Sequence, residues 1–359
     1  METLREKIGQ MFLIGCQGES LTVNEQLICA EYQFGGAILF KRNCAEPAQM
    51  RGLCQSLWDT AGETPPFIAI DQEGGRVHRL PPPFTHFPAA ARIGEKNNPE
   101  LARSLGRAAA EELKLIGVNL NFAPVLDVDS NPQNPIIGDR AFGRDPTRVI
   151  DIASAWTQGL RDGGIIPCGK HFPGHGDTDK DSHLELPMVR KSFDELKTVE
   201  WPPFAHACRN CIEALMTAHV LYPALDRNLP ATLSEAIVTG LLRYQFGYDG
   251  VVFSDDMEMQ AIADNYGVEE AAARAVRAGV DVLLFCHDLE KAIQAFELLC
   301  DEAANDPLMR ARVEESLRRI TELKHRYVKE FTAMRENEIV ARLIELNHQR
   351  MLTDNFGED

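Results

Sequence analysis

The run Lys170-His171-Phe172-Pro173-Gly174-His175-Gly176-Asp177-Thr178-Asp179-Lys180-Asp181-Ser182-His183 sets three histidines, three aspartates and two lysines around two glycines and a proline. Pro173, Gly174 and Gly176 break helical geometry, and so many ionisable groups cannot be buried without partners, so the run is not a core helix. Carboxylates beside imidazoles suit two chemistries. His171, His175 and His183 with an aspartate could ligate a metal for hydrolysis. Alternatively, one histidine could move a proton, oriented by a carboxylate, while a second carboxylate attacks or stabilises an electron-poor carbon. The spacing in a glycine-rich loop fits either.

Comparable polar groups follow other short apolar runs. Phe67–Ile70 leads into Asp71-Gln72-Glu73-Gly74-Gly75-Arg76-Val77-His78-Arg79, and Leu120–Ala123 leads to Asp127, Asp129 and the Asp139-Arg140 pair. Gly250–Phe253 leads into Ser254-Asp255-Asp256-Met257-Glu258. Singly, such residues serve as helix caps or loop salt bridges, and Asp127 alone would need no other explanation. Together at the ends of parallel strands they would share one face, which makes an enzyme the better reading. The first strand, Met11–Ile14, offers no histidine pair of the kind an amidohydrolase-type barrel supplies there. That favours chemistry without a metal.

The elements that must hold these groups alternate along the chain. Strands are expected at Met11–Ile14, Gly36–Phe40, Phe67–Ile70, Leu120–Ala123, Pro167–His171, Ala214–Ala218, Gly250–Phe253 and Val280–Phe285. Several are continuous apolar runs, as in parallel strands covered on both faces. Helical stretches lie between them, at Pro99–Ile116, Pro146–Asp162 with Asp145 as N-cap, Ser234–Gln245 with Ser234 as N-cap, and Val268–Ala278. The pattern is α/β, a single (β/α)8 TIM-like barrel with extra C-terminal helices. A doubly wound sheet fits less well, because polar groups follow nearly every strand rather than one switch point. The domain reading is a catalytic barrel over 1–290 and a helical extension packed on it over 291–359. In the extension, Met309, Val313, Leu317, Ile320 and Tyr327 keep an apolar stripe.

Composition excludes more than it names. A net charge of −17 over 359 residues gives no basic face for nucleic acid or an anionic membrane. The charged start Met1-Glu2-Thr3-Leu4-Arg5-Glu6-Lys7 is unlike a secretory signal, and no apolar run is long enough to span a bilayer, so a cytoplasmic protein is expected. Nine scattered cysteines, with one isolated Cys208-x-x-Cys211, read as reduced thiols rather than a disulfide framework or metal site.

Five fragments, Ile70–Arg76, Asn121–Asp127, Gly138–Gly143, Lys170–His183 and Phe253–Asp256, together resemble the glycoside hydrolase family 3 β-N-acetylglucosaminidases of the single-domain bacterial type. The resemblance runs in order from the first strand to about Phe285, and the Lys-His-Phe-Pro-Gly-His-Gly-Asp-Thr to Asp-Ser-His arrangement is its most specific part. It implies a retaining exo-β-N-acetylglucosaminidase with no metal or cofactor. Asp255 would be the nucleophile, His183 the general acid/base and Asp181 its partner. Asp71, Arg79, Arg140, Lys170 and His171 would bind the sugar, while His175 and Asp177 would organise the loop. Asp256 is the local rival to Asp255, and strand alternation should turn only one of the two inward. The implied partner is a small carbohydrate, a GlcNAc-containing muropeptide from cell-wall recycling or an oligosaccharide. A monomer is expected.

Overall fold

The computed structural model describes residues 3–178, 186–329, 331 and 334–357. Eight strands, β1 Phe12–Gly15, β2 Gly36–Leu39, β3 Phe67–Ile70, β4 Leu120–Asn121, β5 Ile166–Phe172, β6 Ala214–Thr217, β7 Val251–Asp256 and β8 Val282–Phe285, pair in chain order. Every pairing is parallel, and β8 closes on β1 through Phe12–Leu283, Leu13–Leu284 and Ile14–Phe285. That closure makes the chain a (β/α)8 barrel and removes the open doubly wound sheet. It also places all the strand carboxyl ends, with their polar loops, on one rim.

Local signals account for most boundaries. The helix Pro99–Ile116 is capped by Asn98, and Pro146–Gly163 by Asp145, which accepts from the Thr147 N–H at 3.1 Å. β4 stops short of the expected Ala123. Pro124 has no N–H to continue a ladder, yet contact with β5 goes on, the Cys168 and Lys170 N–H groups donating to the Ala123 and Pro124 carbonyls at 2.9 and 3.2 Å and the Leu126 N–H to the Lys170 carbonyl at 2.7 Å. Ser234 stands at the expected N-cap position, extended and with its carbonyl accepting from the Val238 N–H at 2.9 Å, but its side chain does not cap the helix. Its hydroxyl donates to Asp226 at 2.7 Å, and the helix Ala236–Gln245 winds in wide π-type turns ending with Phe246 N–H donating to Leu241 O at 3.0 Å.

The barrel interior is aromatic at its centre. Phe253 of β7 meets Phe67 of β3 and Phe122 edge-on, with ring centroids 5.9 and 5.5 Å apart. From below, the helix Pro307–Tyr327 inserts the buried Lys324, whose ammonium donates to Gln10 Oε1 at 2.7 Å and Gly35 O at 2.8 Å. Met309, Val313, Leu317 and Ile320 bury the apolar stripe of that helix. Further on, Glu336–Leu346 lies against the helices Pro47–Thr60 and Pro99–Ile116, and His348 sits 3.0 Å from Glu112. No helix among the described residues is long and apolar enough to cross a membrane.

Candidate active site

A cavity of about 590 Å³ opens at the carboxyl rim, with Asp71, Glu73, Arg140, Lys170, His171 and Asp255 in its wall. Its cationic side is a buried network. The Lys170 ammonium lies 2.6 Å from Asp71 Oδ1 and 2.6 Å from Glu73 Oε1. Glu73 also accepts both arms of Arg140, at 2.9 and 2.8 Å. Burial alone would raise the Glu73 carboxyl, but Arg140 and Lys170 outweigh it and hold it below the ordinary carboxylate range. Lys170 is likewise opposed by burial and kept charged by Asp71 and Glu73. Arg79 reaches Asp71 only at 3.9 Å and keeps its side chain at the mouth of the network.

The loop after β3 is pinned in two ways. The Asn121 side chain accepts from the Gln72 N–H at 3.0 Å and donates to its carbonyl at 2.9 Å, while Gln72 Oε1 accepts from the Arg79 N–H at 2.9 Å. The turn at Gly74 and Gly75 has φ of 97° and 53°, and a Cβ on Gly74 would lie 2.5 Å from Pro88 O, so both torsion and space call for glycine.

The loop after β5 is organised by Asp127. This fully buried carboxylate accepts from His171 Nδ1 at 2.7 Å, from the His171 N–H at 3.2 Å and from the His175 N–H at 2.7 Å. With Nδ1 committed, His171 has Nε2 left for a ligand in the cavity. His175 is buried behind it, with Thr178 Oγ1 2.9 Å from its Nδ1, and burial followed by the neighbouring His171 lowers it to about 4. That keeps the ring neutral at pH 7, and it also borders the cavity. Asp177 lies 3.3 Å from Lys191, which also meets Glu200 at 2.6 Å. A Cβ on Gly176 would be 1.6 Å from Val128 O, so this loop can lie so close only with glycine there.

At the end of β7 the two adjacent aspartates both border the cavity, contrary to the expectation that alternation would turn one away. The reason is a register shift: the pair Phe253–Val282 is followed by Asp256–Leu284, so β7 carries one extra residue there. Their electrostatics differ. Burial opposes ionisation of Asp255, but His219, His171 and the Asp256 N–H, which donates to Asp255 Oδ1 at 2.8 Å, hold it below the usual range. Burial pushes Asp256 up to about 7, helped by the charges of Glu258 and Asp255. Asp255 is thus the readier of the two to ionise, and Asp256 keeps its proton to higher pH.

Of the residues singled out in the sequence, Asp71, Arg79, Arg140, Lys170, His171 and Asp255 therefore meet around one cavity. Asp181 and His183 lie outside the described residues. Sequence reasoning missed Glu73 as a partner, gave Asp127 no role beyond a possible cap, and missed His219 altogether. Glu73 stands two places after Asp71, and His219 follows β6 as Asp255 follows the core of β7, so position at a strand end was the available signal. Among the described residues no three His, Cys, Asp or Glu side chains converge as a metal site.

Residues 3–323 match the glycosyl hydrolase family 3 N-terminal domain. A β-hexosaminidase of Nitrosomonas eutropha is 40% identical over 288 residues, 78% of this chain and 81% of that one. A family 3 β-N-acetylglucosaminidase from a Paenibacillus strain superposes with a TM-score of 0.90 at 38% identity, covering 96% of this chain and 69% of the other. A β-N-acetylhexosaminidase from Beutenbergia cavernae gives 0.85 at 28% identity, covering 90% and 99%. The motifs around Lys170 and Asp255, the closed barrel and these relatives agree: the chain is a glycosidase and belongs to glycosyl hydrolase family 3.

Proposed function

We propose that the protein is a retaining exo-β-N-acetylglucosaminidase that removes terminal, non-reducing β-linked GlcNAc through a covalent intermediate on Asp255. The observation that carries this reading is that Asp255, its carboxyl held below the usual range, borders the same cavity as the Asp71–Lys170–Glu73–Arg140 network. Asp71, Arg79, Arg140, Lys170 and His171 would take the hydroxyl and acetamido groups of the sugar, which fixes C1 over the Asp255 carboxylate. That carboxylate attacks C1 as the aglycone oxygen leaves with a proton from His183. Asp181 would orient His183 and favour its charged form. In the second step His183 takes a proton from water, which attacks C1 and releases Asp255, so the β configuration is restored.

The natural substrate in this reading is a GlcNAc-containing muropeptide recovered in peptidoglycan recycling, cleaved in the cytoplasm by a monomer. The sequence resemblance supports it, as do nine cysteines that form no disulfide, suited to a reducing compartment. The division into a catalytic barrel over 1–290 and a helical extension over 291–359 belongs to the same proposal. Trapping with a slow fluorinated GlcNAc substrate, followed by peptide mapping, tests the mechanism. A label on Asp255 is expected, with loss of turnover in Asp255→Ala and β-GlcNAc as the first product seen by NMR. A label on Asp256, or α-GlcNAc first, refutes it.

A further inference from the structure

The nucleophile position lies where strand pairing has run out. On the β6 side, the last register pair is Met216–Phe253. On the β8 side, the extra residue interrupts pairing between Phe253 and Asp256. Asp255 therefore sits on a stretch of backbone that the sheet does not hold regularly, although displacement of a reacting group by about 1 Å can cost about 100-fold in rate. Backbone bonds resume just beyond it, where the Met257 N–H donates to Leu284 O at 2.9 Å and the Met259 N–H to Asp256 O at 3.1 Å, but neither touches the Asp255 carboxylate.

A chain of side-chain hydrogen bonds reaches it from β6. Thr217 Oγ1 lies 2.9 Å from Thr232 Oγ1, Thr232 Oγ1 lies 2.8 Å from His219 Nδ1, and His219 Nε2 lies 2.9 Å from the Asp256 carbonyl oxygen. All three side chains are buried, with His219 only 1% exposed. Proton accounting orients the chain. The Asp256 carbonyl can only accept, so Nε2 carries hydrogen. Burial disfavours the charged ring, and in the neutral ring Nδ1 accepts from the Thr232 hydroxyl, which also lies 3.1 Å from the Ala218 carbonyl, while Thr217 Oγ1 lies 3.4 Å from the Phe253 carbonyl. The other face of the same residue completes the link, because the Asp256 N–H donates to Asp255 Oδ1 at 2.8 Å. Asp256 is thus held by its carbonyl while its N–H holds one oxygen of Asp255, leaving Oδ2 for the sugar.

We propose that His219 is a positioning residue that sets the orientation of the Asp255 carboxylate through the backbone of Asp256. The inference rests on Asp255 being the nucleophile. The test uses the purified full chain with aryl β-GlcNAc substrates of differing leaving-group ability, and the variants His219→Ala, His219→Gln, Thr232→Val and, as reference, Asp255→Ala. His219→Ala should lower kcat about 10- to 100-fold with KM changed less than about threefold, because sugar contacts stay in place while the attacking oxygen is displaced. The loss should be equal for good and poor leaving groups, since proton donation is untouched. The Gln amide can reach the same carbonyl and should recover about tenfold of the loss, while Thr232→Val should show a smaller fall of the same kind. A kcat within about threefold of wild type in His219→Ala, or a change confined to KM, overturns the proposal. If His219→Ala does not fold, a wild-type kcat in Thr232→Val overturns it. Turnover retained by Asp255→Ala would instead bring down the nucleophile assignment, whatever the His219 variants do.

Discussion

Replacing Glu73 by glutamine keeps the shape of the side chain and removes one negative charge from the centre of the site. Glu73 is buried and accepts from Lys170 and both arms of Arg140, so the variant leaves the buried Lys170 with Asp71 as its carboxylate partner and removes the carboxylate partner of the largely covered Arg140. Breaking a buried pair by removing one partner costs about 3–5 kcal/mol. With an unfolding entropy of about 0.75 kcal/mol/K for 359 residues, that corresponds to a fall in Tm of about 4–7 °C at pH 7. The pH dependence has a definite sign. The folded Glu73 carboxyl is held below its ordinary range, so its contribution is fully present above the unfolded value of about 4.3 and is lost as pH falls below it. The difference in Tm between wild type and Glu73→Gln should therefore be constant from pH 5.5 to 7.5 and shrink below about pH 4.3. Activity should suffer as well, because Arg140 and Lys170 lose the anchor that aims them. A loss of about 100-fold in kcat/KM is expected. Scanning calorimetry over pH and steady-state assays on aryl β-GlcNAc check both. A Tm within 1 °C of wild type with kcat/KM within about threefold would refute the reasoning.

Asp256→Asn mimics the protonated neighbour of the nucleophile. Because the folded Asp256 carboxyl is raised to about 7, wild-type stability should decline as pH rises from the unfolded value of about 3.9 towards 7, and the asparagine variant should lose that decline in a pH-resolved melt. Its alkaline activity limb should also flatten, and an unchanged profile would contradict the reading. His183→Ala should lose far more glycosylation rate on a GlcNAc disaccharide than on aryl substrates with good leaving groups, measured before steady state, whereas His171→Ala should weaken both alike. Equal losses in His183→Ala would remove His183 from the acid role. Asp127→Asn should weaken both substrates as His171→Ala does, since it releases the His171 ring, and a wild-type KM and kcat would show the ring needs no such anchor.

Much of this protein was legible along the chain. Continuous apolar runs such as Phe67–Ile70 and Val282–Phe285 mark parallel strands because both their faces are buried, and Asp145-Pro146 marks a helix start because the cap and the fixed φ act over four residues. Asp71, Lys170, His171 and Asp255 were readable because each directly follows, or ends, such a strand, and a parallel barrel sends every such end to one rim. These are local rules, and one strand with its loop contains all they need.

Pairing was not legible in this way. Glu73 meets Arg140, Asp127 meets His171, and His219 meets the Asp256 carbonyl across separations of 67, 44 and 37 residues. Nothing near Glu73 in the chain distinguishes an exposed glutamate from one between two cations. Only the parallel pairing of β3 with β4 and of β4 with β5 brings the loops that follow them within hydrogen-bond distance. Asp255 and Asp256 make the same point at adjacent positions: identical side chains on one strand are pushed in opposite directions because a one-residue shift in register turns both into the cavity, and burial and neighbouring charge then act on each differently. Residue identity and strand position are encoded locally, whereas protonation and orientation depend on the distances and dielectric that only the closed barrel creates.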